Sequence, residues 1–268
     1  MLNPEVKFLP NKNLNFFCIG HSHLQAIQAE YSINHTSYNK RNIFFNFIVL
    51  LDNRFKNYRH FFFRNKYFEF WWSFKVFFLV KLFTLRTNFI ITSFGGNAHN
   101  ILGLVNLPEK FDFFMPQQKK GLIKGARLIP LDIVEACLKN QGGFPETVWC
   151  LRAIRKIYKG RIIQIESPPP IPNNKHLLKY AGPYKAQFDE FGPAPIKLRY
   201  KLWLIHSTLI KEECKKLNIE YIEAPKEMVD KNGYLKKIAW NLDTNHANLV
   251  YGKALINQII SINSKYNS

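Results

Sequence analysis

Along the chain, short unbroken apolar runs alternate with longer stretches of helical spacing. Asn15-Phe16-Phe17-Cys18-Ile19 is apolar until Gly20 stops it, which predicts a strand buried on both faces. Ser22 to Glu30 suits a helix, with Ser22 as its cap. Phe44 to Leu51, bounded by Asp52-Asn53, predicts a second buried strand, about Lys66 to Leu85 a helix, and Asn88 to Ser93 a third strand ended by Gly95-Gly96. Leu131 to Asn140 and Pro145 to Tyr158 carry apolar residues at helical spacing on either side of Gln141-Gly142-Gly143. Arg161 to Ile165 predicts a fourth strand, Pro195 to Leu217 a long helix, Ile219 to Ile222 a fifth strand and Ala247 to Ile262 a closing helix. Continuous apolar strands alternating with helices are the pattern of a parallel sheet covered on both faces, so the expectation is an α/β fold: a three-layer α/β/α sandwich on a five-stranded parallel sheet. There is no internal repeat, and residues 1–268 read as one domain.

Two segments depart from this rhythm. Glu166-Ser167-Pro168-Pro169-Pro170-Ile171-Pro172 cannot continue a central strand, because proline lacks the N–H. It reads as a stiff connector at a strand end, where open α/β sheets place ligand loops. Tyr67 to Thr84 is rich in Phe and Trp, but Glu69, Lys75 and Lys81 interrupt it, and each charge at a bilayer centre costs about 2.5–3.5 kcal/mol. A buried amphipathic helix is therefore expected rather than a transmembrane span, with contact to a membrane surface as the minor alternative.

Composition changes the picture only at the surface. The 268 residues hold 38 Lys+Arg against 19 Asp+Glu, a net charge of +19. That balance attracts polyanions, but no nucleic-acid motif accompanies it, so nucleic acid is not an expected partner. Joint richness in Lys, Asn, Ile and Phe is equally what a biased genome composition produces. The four cysteines, Cys18, Cys137, Cys150 and Cys214, show no C-x-x-C pairing and read as reduced thiols. The first twenty residues have no continuous apolar core of the kind a secretory signal needs, so the expected compartment is the cytoplasm.

Candidate chemistry sits in three places, each beside a strand end or a helix start. Gly20-His21-Ser22-His23 follows the first strand, Gly95-Gly96-Asn97 the third, and Asp243-Thr244-Asn245-His246 precedes the last helix. Ser22 would lie near helix N-terminal N–H groups, which favour a developing negative charge. A serine nucleophile needs a base, and the base needs a carboxylate to hold its tautomer; Asp243 and His246, three residues apart in a turn, can supply both. His99 and Asn100 follow on the Asn97 loop, where they either bind substrate or cap the next turn.

On these residues the chain resembles the SGNH/GDSL hydrolase family, which has a serine block after strand one, an asparagine block after strand three, and D-x-x-H near the C-terminus. The resemblance implies a flavodoxin-like sandwich, Ser22, Asp243 and His246 as catalytic residues, and an oxyanion hole formed by the Ser22 N–H and the Asn97 amide. Gly96, His99, Asn100 and His21 would border the substrate, a small acyl ester or acylated glycan, with neither cofactor nor metal. Two departures stand out. His21 replaces the family's aspartate beside the serine, and no glycine occurs between Gly20 and Gly95, which leaves the family's third oxyanion donor unassigned. Loss of one such donor costs about a hundredfold or more in rate.

Two other readings compete with a serine-dependent ester hydrolase or O-acyltransferase. One is a non-catalytic carbohydrate- or protein-binding module on the same fold. The other is a metal-dependent hydrolase using His21, His23, His99, His246 and Asp243, since imidazole with carboxylate suits zinc.

Overall fold

The computed structural model describes residues 13–50, 81–82, 87–95, 97–115, 121–140 and 143–266. The predicted helix at 66–85 falls almost wholly outside them, and Gly96 does so entirely.

Five strands form one parallel sheet: β1 (Leu14–Gly20), β2 (Ile43–Val49), β3 (Phe89–Ser93), β6 (Arg161–Ile165) and β7 (Glu220–Ile222), in the order β2-β1-β3-β6-β7. Two further strands, β4 (Phe111–Asp112) and β5 (Arg127–Leu128), form a short parallel pair outside the sheet. The helices are α1 (Gln25–Lys40), α2 (Ala98–Gly103), α3 (Leu131–Asn140), α4 (Phe144–Ile157), α5 (Asn174–Lys179), α6 (Lys185–Phe191), α7 (Ile196–Lys216) and α8 (Leu249–Tyr266).

The unbroken apolar strands are explained by two cores, one on each face of the sheet. Alternate strand residues point to opposite faces. Phe17, Ile19, Ile90 and Ile162 enter a core with side chains of α3, α4 and α7, whereas Phe16, Cys18, Ile91 and Ile163 enter a second core with α1 and α8. Each fully buried Phe or Ile contributes roughly 1.5–3 kcal/mol, so a polar residue at any of positions 16–19 would weaken one core or the other. This is the expected α/β/α sandwich.

Its strand order also decides where a site can form. From β1 the chain turns to β2 on one side, and β3 then joins β1 on the other. The crevice beyond the C-terminal ends of β1 and β3 is thus a topological switch point, where open α/β sheets bind ligands. Gly20 ends β1 at this point because β1 and β3 approach closely: a Cβ there would lie 2.5 Å from the Ser93 carbonyl oxygen. On one outer layer α8 packs against α1, and a Cβ on Gly252 would come within 2.0 Å of the Ala26 carbonyl oxygen. That contact brings the start of α1, just after Ser22, against the start of α8, just after His246.

The proline run is a connector. Pro168 to Ile171 are buried, the Ser167 carbonyl accepts from Trp203 Nε1 (3.1 Å), and the Ile171 carbonyl accepts from Arg199 (2.6 Å). Arg199 is itself buried, which lowers its pKa to about 10, and it also donates to the Ala194 carbonyl and Asn174 Oδ1. Among the described residues no helix is long and apolar enough to cross a membrane.

Candidate active site

Ser22 opens a single 3₁₀ turn, Ser22–Leu24, that leads into α1. The expectation that it caps the helix is not met: His21 holds the cap position, and no side chain caps the turn. The Ser22 hydroxyl instead lies 2.7 Å from His246 Nε2. Being at the first position of the turn, the Ser22 N–H has no partner within it.

The Asp243–His246 turn is held by its own carboxylate. Asp243 Oδ1 accepts the backbone N–H groups of Asn245 (3.0 Å) and His246 (2.8 Å), while Oδ2 accepts Asn241 Nδ2 (2.9 Å) and His246 Nδ1 (2.9 Å). A carboxylate only accepts, so Nδ1 carries the imidazole proton and Nε2 is left as the acceptor for the serine hydroxyl. Partial burial pushes the Asp243 pKa up, but the hydrogen bond and charge of His246 and the two backbone N–H groups outweigh it, holding the carboxyl well below the usual carboxylate range. The turn is fastened from outside by His176 on α5, whose Nε2 donates to the carbonyls of Asn241 (2.9 Å) and Asp243 (3.1 Å). The His176 ring rests between Tyr180 and Trp240.

Asn97 precedes α2 but makes no capping bond to it. Its Oδ1 accepts Asn245 Nδ2 (3.2 Å) and Asn100 Nδ2 (3.3 Å), which ties the Asn97 loop to the Asp243–His246 turn. Asn97 Nδ2 meets no acceptor among the described residues and remains able to donate. The loop after β2, where a third donor is expected, lies outside the described residues from Leu51 onward. The Leu50 N–H is already spent on the Gly20 carbonyl (2.9 Å).

The remaining expected site residues take other places. His21 accepts the Gly95 N–H at Nδ1 (3.4 Å) and turns Nε2 to Glu146 (3.5 Å), so it forms the wall between β3 and α4. His23 points away from it, buried, with its ring 4.9 Å from that of His246. His99 and Asn100 are turned inward. Asn100 supports Asn97, and His99 packs on His206 (ring centroids 5.2 Å apart). Burial, then the neighbouring His206 and His23, push the His99 pKa well down, and burial lowers that of His206 to about 4, so both rings are neutral at neutral pH. Among the described residues no three His, Cys, Asp or Glu side chains are grouped to hold a metal ion.

Asn241, Asn245, His176 and Glu146 were not anticipated from sequence. Asn245 lies inside the Asp243–His246 motif and Asn241 two residues before it, so the motif and its N-terminal flank held a signal. Nothing local connects His176 or Glu146 to the site.

Neither a protein-family model nor a curated protein matches the sequence. Among solved structures the chain is similar to a GDSL-like lipase from Bacteroides thetaiotaomicron VPI-5482, at 10% identity over 95% of this chain and 89% of that one, with a TM-score of 0.47. It is also similar to phospholipase A1 from Streptomyces albidoflavus NA297, at 8% identity over 93% and 99%, with a TM-score of 0.41. These are likenesses of chain path at low identity.

Proposed function

We propose that this chain is a serine-dependent ester hydrolase or O-acyltransferase acting on small acyl esters. The observation that carries the reading is the unbroken line from Ser22 Oγ to His246 Nε2 (2.7 Å) and from His246 Nδ1 to Asp243 Oδ2 (2.9 Å). As Ser22 Oγ bonds to the ester carbonyl carbon, its proton passes to His246 Nε2 and the carbonyl π pair moves onto oxygen. Asp243 steadies the imidazolium that results. The Ser22 N–H and Asn97 Nδ2 donate to the oxyanion. The oxyanion then collapses and expels the alcohol, which takes the proton back from His246. Water, or an acceptor hydroxyl, repeats these steps on the acyl-serine. Neutral His99 and His206 place no positive charge behind the imidazolium, and the excess of basic residues favours approach of an anionic ester. The complete relay weighs against a purely binding module, which has no need of it.

A fluorophosphonate probe tests the reading directly. It is expected to label Ser22, Ser22→Ala should abolish both labelling and hydrolysis of a short-chain p-nitrophenyl ester, and chelators should leave the rate unchanged. Full hydrolysis by Ser22→Ala, or rate loss on chelation, would sink it.

A further inference from the structure

We infer that Asn245 is a positioning residue that sets the Asn97 amide as an oxyanion donor, so that the turn orienting the base also orients the donor. This rests on the serine reading above and adds to it a residue outside the triad.

The geometry supplies three reasons. First, the Asn97 side chain is free of the usual duty of its position, since it precedes a helix without capping it. Second, its Oδ1 is held from two sides. Asn100 lies three residues along on α2 and can tie Asn97 only to its own helix, whereas Asn245 reaches across from 148 residues further on. Once Oδ1 is fixed in a planar amide, the direction of the two Nδ2–H bonds is fixed with it. Donation to Oδ1 also polarises the amide and strengthens Nδ2 as a donor. Third, the backbone of Asn245 is anchored to the carboxylate turn, because its N–H is bonded to Asp243 Oδ1 (3.0 Å) and it directly precedes His246. One residue thus links the carboxylate turn, the base and the donor, and the separation between base and oxyanion site cannot drift as two independent loops would allow.

The test is a double-mutant cycle on a short-chain p-nitrophenyl ester. Asn245→Ala is expected to lower kcat about tenfold, the scale of one hydrogen bond, with KM unchanged. Asn245→Asp keeps the shape but has no N–H for Oδ1, and its carboxylate draws Asn97 Nδ2 away from the oxyanion, so kcat should fall at least as far. If Asn245 acts through Asn97, the Asn97→Ala/Asn245→Ala double variant should be no slower than Asn97→Ala alone. Wild-type kcat in Asn245→Ala, multiplicative losses in the double variant, or a fall in thermal midpoint that accounts for the lost rate would each overturn the inference. Ser22→Ala run alongside keeps the two claims apart. Retained activity there overturns the serine reading, whereas a dead Ser22→Ala beside an unimpaired Asn245→Ala overturns only the role of Asn245.

Discussion

Asp243 accepts four hydrogen bonds, and each oxygen has a distinct duty: Oδ1 closes the turn through two backbone N–H groups, and Oδ2 faces His246 and Asn241. The isosteric Asp243→Asn must present an NH₂ group at one of these sites. Toward the turn it opposes N–H groups; toward His246 it opposes the Nδ1 proton and favours the wrong tautomer. In the proposed mechanism kcat should fall by about 10³–10⁴ with KM little changed, as read from steady-state kinetics. The depressed pKa fixes the sign of its pH dependence. An unfolded aspartate titrates near 3.9, so the stability Asp243 contributes is fully present above that value and is lost only as pH falls through the lower folded value. At this scale the candidates for the proposed mechanism are legible in the sequence, because that chemistry demands particular residue types at short spacing. Ser22 reads in the sequence both as a helix cap and as a candidate nucleophile, because the two kinds of serine share the strand-to-helix junction; only its partner opposite, 224 residues away, tells against the cap.

At the scale of elements, α7 carries two buried cations that tie irregular segments to the sandwich. Arg199 binds the strap after β6. Lys201 Nζ pairs with Asp112 Oδ1 at 2.8 Å, both side chains being buried, and donates as well to the Phe113 carbonyl (3.0 Å). Asp112 also accepts the N–H groups of Phe113 and Ile123, so the pair anchors the parallel β4–β5 excursion against α7. Lys201→Met leaves Asp112 buried without its counter-charge and should cost about 3–5 kcal/mol, measured by urea unfolding. Among the described residues the strands and all long helices but the first agree with the sequence to within a few residues: helix 195–217 is observed as Ile196–Lys216, and strand 219–222 as Glu220–Ile222. The departures are physical. The first helix continues past Glu30 to Lys40 with non-helical angles at Asn34, because its polar second half is held by bonds from Asn34 Nδ2 and Tyr38 Oη to the buried Glu30. The short helices α2, α5 and α6 were missed, being too brief to display a period, and two-residue strands such as β4 and β5 leave no alternation to detect.

Over the whole molecule, the buried histidines set a response to acid that belongs to no single element. His206, on α7, is buried with both ring nitrogens lacking a hydrogen-bond partner among the described residues, and its pKa is lowered to about 4. An unfolded histidine titrates near 6.5, so between these values the unfolded chain binds the extra proton. The associated stability is fully present above about pH 6.5 and declines as pH falls to about 4, by roughly 3 kcal/mol in all. His206→Leu should flatten that decline in urea unfolding across pH 4–7; an unchanged slope would show that the ring is protonated while folded. His99, shifted the same way, leaves a residual slope. The sequence by itself determined the layered α/β/α sandwich, since runs of consecutive apolar residues such as Phe16–Ile19 can be satisfied only between two cores, and it supplied the candidate residues for the proposed acyl transfer. Only the tertiary structure decided which of them meet. The switch in strand order beyond β1 and β3 and the close approach of α1 and α8 at Gly252 bring Ser22, Asn97 and the Asp243–His246 turn to one crevice, while the same packing turns His99 and Asn100 inward. Such long-range juxtapositions depend on how elements pack, and no local spacing encodes them.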